Sequence, residues 1–174
     1  MPRFDASTAE CLIFTFKEGV LSAVAHDLKL RVGRFELELG DERAIEARFD
    51  ARSIEVVCAR MRDRDAPGLL SEADMRSIQQ NLAGDVLDSG RYPEIRFSGR
   101  IAVQGDAPAI SGNLALHGRE QPIAIETRRD ADRIIAGARI HQPDFGIRPY
   151  RAMLGALRVK ADVVVHLSVP TAAL

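Results

Sequence analysis

The sequence predicts an all-β protein with a single helix, in which a long antiparallel sheet closes into a barrel or folds over itself as a sandwich. Apolar and polar residues alternate with a period of two in many short runs along the 174 residues, which is typical of half-buried antiparallel strands. Only residues 70–82 have the spacing of an amphipathic helix. The alternating runs amount to roughly eight to ten strands, a number that fits a closed barrel or a sandwich, and closure into a barrel removes the exposed edges of a long sheet. A barrel of about eight strands can hold one small ligand.

The first long alternating run covers residues 20–32. Its even-numbered positions are mostly apolar, whereas the odd-numbered Asp27, Lys29 and Arg31 are charged. Since successive side chains of a strand point to opposite faces, the even positions are predicted to face the interior. At Gly33 the alternation shifts by one residue, which indicates a bulge or a turn.

Further alternating runs extend the sheet to the end of the chain. The final run, residues 157–168, is predicted as one long strand whose odd-numbered side chains point inward; on its outer face Val164 is the apolar exception. The other predicted strands cover residues 10–17, 35–39, 45–49, 54–58, 95–103, 110–116, 123–127 and 134–140.

The one helix is predicted from Glu72 to Leu82. Ser71 is a candidate N-cap, and Asp74 can return a hydrogen bond to it as a capping box. Gly84 supplies a plausible stop. A lone amphipathic helix must cover something apolar, most simply an open end of the barrel. Its apolar stripe consists of Met75, Ile78 and Leu82.

Composition narrows the classes of function. The chain is 46% apolar and 28% charged with a net charge of −1, which is typical of a globular protein and gives no general attraction to nucleic acid. It contains no Trp and few other aromatic residues, so stacking of single-stranded bases is not expected.

The chain has neither a secretory signal nor an apolar stretch of the ~18 residues that would cross a bilayer. We therefore expect a cytoplasmic protein without membrane insertion. Cys11 and Cys58 lack the paired spacing of a zinc or redox site and are predicted to be buried apolar side chains.

His26 is the first candidate site residue. It shares the apolar face of its strand with Val24 and Leu28, so its side chain is expected to point into the interior, away from that of Asp27. One interpretation is a core histidine with a buried hydrogen-bond partner; the other is a polar anchor in an apolar cavity. His117 and His166 are interpreted as structural or solvated.

The second candidate is the connection at residues 141–155, which Pro and Gly make irregular but stiff. Phe145 and Tyr150 could line an entrance to the interior. Arg148 and Arg151 could bind an acidic head group. The alternative is a loop that simply folds over the barrel, with Asp144 capping its own backbone.

Three motifs together resemble one known family. The sequence DVLDSGRYPEIRF (residues 85–97) follows the helix, GNLALHG lies at residues 112–118, and PDFGI lies at residues 143–147. Their order is similar to that of the YceI-like, polyisoprenoid-binding, lipocalin-like family, over nearly the whole chain. The resemblance implies a single domain over residues 1–174, an eight-stranded antiparallel lipocalin-like β-barrel with an apolar pore and a capping helix, and a possible homodimer. Tyr92 and Phe97 match the family's Tyr-Pro-x-Ile-x-Phe element.

These observations favour a carrier or sequestering protein for a long apolar or amphiphilic molecule, such as a polyisoprenoid or another lipid. No catalytic motif, cofactor or metal site is predicted. The alternatives are an enzyme that uses His26 as a general base, with Tyr92, Tyr150 or Asp144 as its partner, and a fully packed barrel with a structural, stress-related role. The predicted ligand-binding residues are Val24, His26, Leu28, Tyr92, Phe97, Phe145, Arg148 and Tyr150.

Overall fold

The computed structural model describes residues 1–19, 25–104 and 107–173. Its main feature is a twelve-stranded sheet in which every neighbouring pair is antiparallel. Three further short strands form a second sheet. In chain order the strands are β1 Arg3–Asp5, β2 Glu10–Thr15, β3 Lys17–Glu18, β4 Asp27–Val32, β5 Phe35–Leu39, β6 Ala44–Asp50, β7 Ile54–Met61, β8 Arg64–Ala66, β9 Glu94–Gln104, β10 Ala107–Leu116, β11 Arg119–Asp130, β12 Arg133–His141, β13 Arg151–Ala152, β14 Leu157–Val159 and β15 Asp162–Pro170.

The main sheet curls around its apolar face. Its strand order is β1-β5-β6-β9-β10-β11-β12-β15-β2-β4-β7-β8. Strands β4 and β5 stand near opposite ends of this order, yet only Gly33 and Arg34 separate them in the chain, so the sheet must curl strongly. The Gly33 N–H donates to the Ser53 carbonyl at 3.0 Å across this junction. The predicted break at Gly33 is therefore present.

The two ends of the curled sheet differ. One end of the sheet carries the helix, and we call it the helix end. Four strands finish there, β2, β7, β10 and β12, and four begin there, β4, β9, β11 and β15. The loops around residues 40–43 and 131–132 lie at the other end, which we call the far end.

The predicted long final strand is wrong at its start. The chain forms β14 in the small sheet β13-β14-β3, breaks at Lys160 and Ala161, and then enters the main sheet as β15. Hydrogen bonds to distant residues cause the break, because the Lys160 N–H donates to the Phe16 carbonyl at 2.7 Å and the Gln142 N–H donates to the Ala161 carbonyl at 2.9 Å. The alternation stays in phase across the break, which is why the sequence does not reveal it.

The helix α1, Glu72–Asn81, begins where the sequence predicts and continues into a π-helical turn, Leu82–Val86. Its capping box is formed: the Asp74 N–H donates to Ser71 Oγ at 3.1 Å, and the Ser71 N–H donates to the Asp74 carboxylate at 3.0 Å. The predicted apolar stripe packs against the core of the sheet. No helix in the described ranges is long and apolar enough to cross a bilayer.

Candidate ligand-binding cavity

A cavity of about 880 Å³ occupies the inside of the curled sheet. Its wall is almost entirely apolar, because nearly every inward-facing strand position is Val, Ile, Leu, Ala or Phe. Wall residues come from both halves of the strand order and from α1. Representative wall residues are Ile13, Leu28, Leu30, Leu37, Ile45, Phe97, Ile110, Leu114, Ile125, Ala138, Val163 and Leu167.

The cavity runs along the length of the sheet. At the far end it reaches Pro108, Thr127 and Ile134, whereas at the helix end it reaches Tyr150 and Lys17. Because antiparallel strands extend from one end to the other, a cavity with both sets of residues in its wall is long rather than round. Such a shape suits an extended apolar chain.

Polar wall residues gather at the helix end. His26, Asp74, Ser77, Asn81 and Tyr150 all line this part of the cavity. The Asn81 side-chain amide donates to the Tyr150 hydroxyl at 3.2 Å, which links α1 to the loop that follows β12. Hydrogen bonds from the Ser71 hydroxyl and N–H lower the pKa of Asp74, and the charge of the nearby His26 contributes to this lowering.

His26 lies just before β4, half-buried, and its side chain lines the cavity. The alternation therefore gave its direction correctly. Asp27 points elsewhere and accepts a hydrogen bond from the Lys17 N–H at 2.8 Å. Within the part of the chain that the structure describes, the His26 ring makes no hydrogen bond that would orient it as a base. Of the three partners considered for it, Tyr92 and Asp144 do not line the cavity, whereas Tyr150 does and its hydroxyl accepts a hydrogen bond from Asn81.

The structure separates the predicted ligand-binding residues into two groups. His26, Leu28, Phe97 and Tyr150 lie on the cavity wall. Tyr92, Phe145 and Arg148 do not contribute to that wall. Val24 lies outside the described residues.

Tyr92 and Phe145 both contact His117, away from the cavity wall. The Tyr92 ring packs on the His117 ring, with 4.4 Å between their centroids, and His117 Nδ1 lies 3.3 Å from the Phe145 carbonyl oxygen. Phe145 is only 2% exposed and belongs to the core. These two motif residues therefore join the β10–β11 turn to the loop after β12. His117 is half-buried as part of this contact.

Two cations that the sequence did not single out line the cavity rim. Arg148 is exposed and lies off the wall, whereas Lys17 and Arg158 line the helix end of the cavity. Arg158 also lies 3.6 Å from the Glu18 carboxylate. Part of the signal for Arg158 was present in the sequence, because this residue is the first outward-facing position of the last alternating run. The small sheet that turns Arg158 toward the rim could not be predicted from local sequence.

Both cysteines are free and buried. Cys11 lines the deep part of the cavity, and burial raises the pKa of its thiol to about 12. Among the described residues, no group of three or more His, Cys, Asp or Glu side chains could hold a metal ion. Within those residues, the chemistry of the cavity is therefore that of an apolar container with a polar rim.

Known proteins share this architecture. The YceI-like domain family matches residues 5–170 of the chain. Among solved structures, BcnA of Burkholderia cenocepacia aligns with a TM-score of 0.61 at 12% identity, covering 92% of this chain and 94% of that one. A polyisoprenoid-binding domain of Saccharophagus degradans, implicated in plant cell wall breakdown, aligns with a TM-score of 0.56 at 12% identity, covering 96% and 94%.

The YceI protein of Campylobacter jejuni aligns with a TM-score of 0.55 at 10% identity and covers 82% of each chain. No curated protein matches the chain. The fold and cavity define the class as a curled antiparallel sheet around an apolar interior. The chain belongs to the YceI-like domain family.

Proposed function

We propose that this protein carries or sequesters a long apolar or amphiphilic molecule, such as a polyisoprenoid or another lipid, inside the sheet. The observation that carries the proposal is the cavity of about 880 Å³, apolar along most of its length, with its polar wall residues concentrated at the helix end. This volume lies near the upper limit for small-molecule pockets, roughly 300–1,000 Å³. It argues against the alternative of a fully packed barrel.

The sheet works in this proposal as a closed eight-stranded container. Three pairs of consecutive strands, β1–β2, β4–β5 and β6–β7, each have one strand near one end of the strand order and the other strand near the opposite end. When each is counted as one bent strand, and the short β8 that pairs only with β7 is left out, they join β9, β10, β11, β12 and β15 to give eight. In this arrangement the ligand would enter and leave through the ends of the curled sheet.

Affinity would come mainly from the tail of the ligand. Each methylene that leaves water for an apolar site contributes ~0.8 kcal/mol, so a chain of several isoprene units needs few polar contacts. The S. degradans neighbour is described as a polyisoprenoid-binding domain, which supports the same ligand class here.

The head of the ligand would lie at the helix end. His26, Asn81 and Tyr150 offer hydrogen bonds there, and Lys17 and Arg158 add positive charge. A polar or acidic head group fits this rim better than a neutral hydrocarbon end. We expect His26→Ala to change head-group selectivity with only a modest loss of affinity, measured by competition between lipids that share a tail. An unchanged ligand profile would remove His26 from the site.

A non-catalytic role fits the site better than catalysis. His26 lacks an orienting hydrogen bond among the described residues, and Asp74, the carboxylate beside it on the wall, is already held by the Ser71 cap. Family membership and the binding-domain neighbour support a binder. The cytoplasmic location and the homodimer stay predictions.

Native mass spectrometry of the purified protein tests the proposal. We expect a stoichiometric lipid that leaves only on denaturation or organic extraction, and uptake of lipid by the emptied protein. Ala138→Phe places a ring inside the cavity and should reduce occupancy, whereas Ala124→Phe places the same ring on the exposed outer face of β11 and should not. An empty protein that takes up nothing from a lipid extract would contradict the proposal.

A further inference from the structure

Residues 148–160, which we call the basic hairpin, differ in charge from the rest of the chain. They contain Arg148, Arg151, Arg158 and Lys160 and no carboxylate, although the whole chain carries a net charge of −1. The segment includes β13 and β14 and supplies Tyr150, Leu157, Arg158 and Val159 to the helix end of the cavity. A local excess of four cations therefore stands beside the cavity mouth.

Most of this charge is available to a partner. The four cationic residues are exposed, and within the described ranges Arg148, Arg151 and Lys160 form no ion pair through their side chains. Only Arg158 has an ionic neighbour, Glu18, at 3.6 Å. By contrast, Arg34, Arg52 and Lys29 elsewhere on the surface are each held by a carboxylate.

Leu154 stands at the tip of the basic hairpin and is fully exposed. Its φ of 56° lies in the left-handed region, which is unfavourable for a leucine. An apolar side chain that is fully exposed at the tip of a turn contributes nothing to the core of this chain. Two other exposed apolar residues, Met61 at the end of β7 and Leu69 on the cavity wall, lie at the same end of the sheet.

We propose that the basic hairpin docks the helix end of the protein on an anionic lipid bilayer. The four cations would lie against the acidic head groups, and Leu154 would enter the boundary between head groups and acyl chains. Surface-lying segments bind bilayers through this combination of apolar area and attraction to anionic lipids. Docking in this orientation would bring the cavity mouth to the surface from which an apolar ligand leaves or enters.

Vesicle co-sedimentation tests the proposal without any cavity ligand, so its failure would leave the proposed carrier function untouched. We expect binding to vesicles of phosphatidylcholine mixed with phosphatidylglycerol, little binding to phosphatidylcholine alone, and weakening as salt is added. Two basic residues near a membrane surface together strengthen the partitioning of a protein onto anionic vesicles about thirtyfold. The double variant Arg148→Gln/Arg151→Gln should therefore bind about thirtyfold more weakly.

The matched control removes the same charge at the far end. Arg43 and Arg129 are exposed there and, among the described residues, form no ion pair. The double variant Arg43→Gln/Arg129→Gln should bind anionic vesicles nearly as well as the unaltered protein. An equal loss in both double variants would show a non-specific charge effect and overturn the proposal, as would absence of binding by the unaltered protein.

Insertion of the tip can be measured directly, because the chain contains no Trp. Leu154→Trp introduces a single reporter, and Trp favours the membrane interface. Its fluorescence should shift to the blue and become protected from iodide on anionic vesicles. Ala172→Trp, on an exposed position at the far end, should show neither change. Equal responses of the two reporters would contradict docking through the hairpin.

Discussion

At the scale of single residues, a pair of glycines decides how the cavity wall accommodates Phe97. Gly99 and Gly112 are directly opposite each other on β9 and β10, and the Phe97 ring lies over both. A Cβ on Gly112 would come within 2.3 Å of the Ser98 carbonyl oxygen and 2.7 Å of the Phe97 ring. Phe97 ends one of the family motifs and Gly112 begins another, and this contact gives both positions a structural reason.

We expect Gly112→Ala to destabilise the protein by about 1–3 kcal/mol, the usual cost of overpacking, since both backbone and ring must move. Urea unfolding of the variant measures this as a lower midpoint. Gly84→Ala is the control, because a Cβ there has no neighbour within 4 Å and the residue lies in the helical turn after α1. Equal stability of the two variants would show that the wall at Gly112 yields easily.

His166 is a second residue whose environment the sequence did not reveal. It lies on the outer face of β15, half-buried against the Phe14 ring at a centroid distance of 5.3 Å. Burial, and then the charges of Arg128 and Arg60, lower the pKa of this histidine.

This lowered pKa makes stability depend on pH in a defined direction. Below about pH 6.5 the unfolded chain binds the His166 proton more readily than the folded one, so stability should fall as the pH drops through this value. Thermal unfolding between pH 7.5 and 5.5 would measure the loss, and His166→Gln should flatten the profile in that range. The lowered pKa of Asp50, about 2, affects stability only in more acidic solution. An unchanged profile in the variant would assign the effect to another group.

At the scale of elements, one side chain clamps the helix to the sheet. The Gln79 amide donates to the Ile54 carbonyl at 2.7 Å and accepts from the Val56 N–H at 3.0 Å, so it continues the hydrogen bonding of β7. On the loop side, Asn81 bonds to Tyr150. These contacts hold α1 across the mouth of the cavity.

We expect Gln79→Ala to cost about 1–3 kcal/mol, because it leaves two partly buried backbone groups without a partner. Hydrogen exchange should rise most in α1 and at the start of β7, and any bound lipid should leave faster. Arg76→Ala is the matched control on the same helix, since Arg76 is exposed and its ion pair with Glu72 spans 3.9 Å. Equal exchange in both variants would show that apolar packing alone holds the helix.

At the scale of the whole molecule, the sheet encloses Cys11. This residue is 2% exposed, lines the deep cavity, and has a thiol with a raised pKa of about 12. Reaction with a thiol reagent therefore requires both access and a thiolate, which the folded chain denies.

In a Cys58→Ala variant, labelling of Cys11 should be slow and should accelerate in parallel with global unfolding by urea. A bound lipid should slow it further. Cys11→Ala, which keeps Cys58, provides the comparison, since Cys58 is buried but lies outside the cavity wall. Rapid labelling of Cys11 in the folded protein would show that the sheet opens locally at a free-energy cost far below that of global unfolding.

The sequence determined the features that depend on local order. Period-two alternation sorted inward from outward positions, including His26 and Leu28, and the Ser71–Asp74 capping box and apolar stripe located the helix. The same alternation predicted the mostly-β fold, and the YceI-like family match confirms the resemblance that the motifs indicated.

Tertiary structure alone decided the rest, because those features depend on contacts between residues far apart in the chain. The break at Lys160–Ala161 follows from bonds to Phe16 and Gln142. Tyr92 and Phe145 leave the cavity wall because they pack with His117 behind it. Alternation gives the face of a strand but not the placement of a loop, so the residues that form the cavity rim emerge only when the sheet curls.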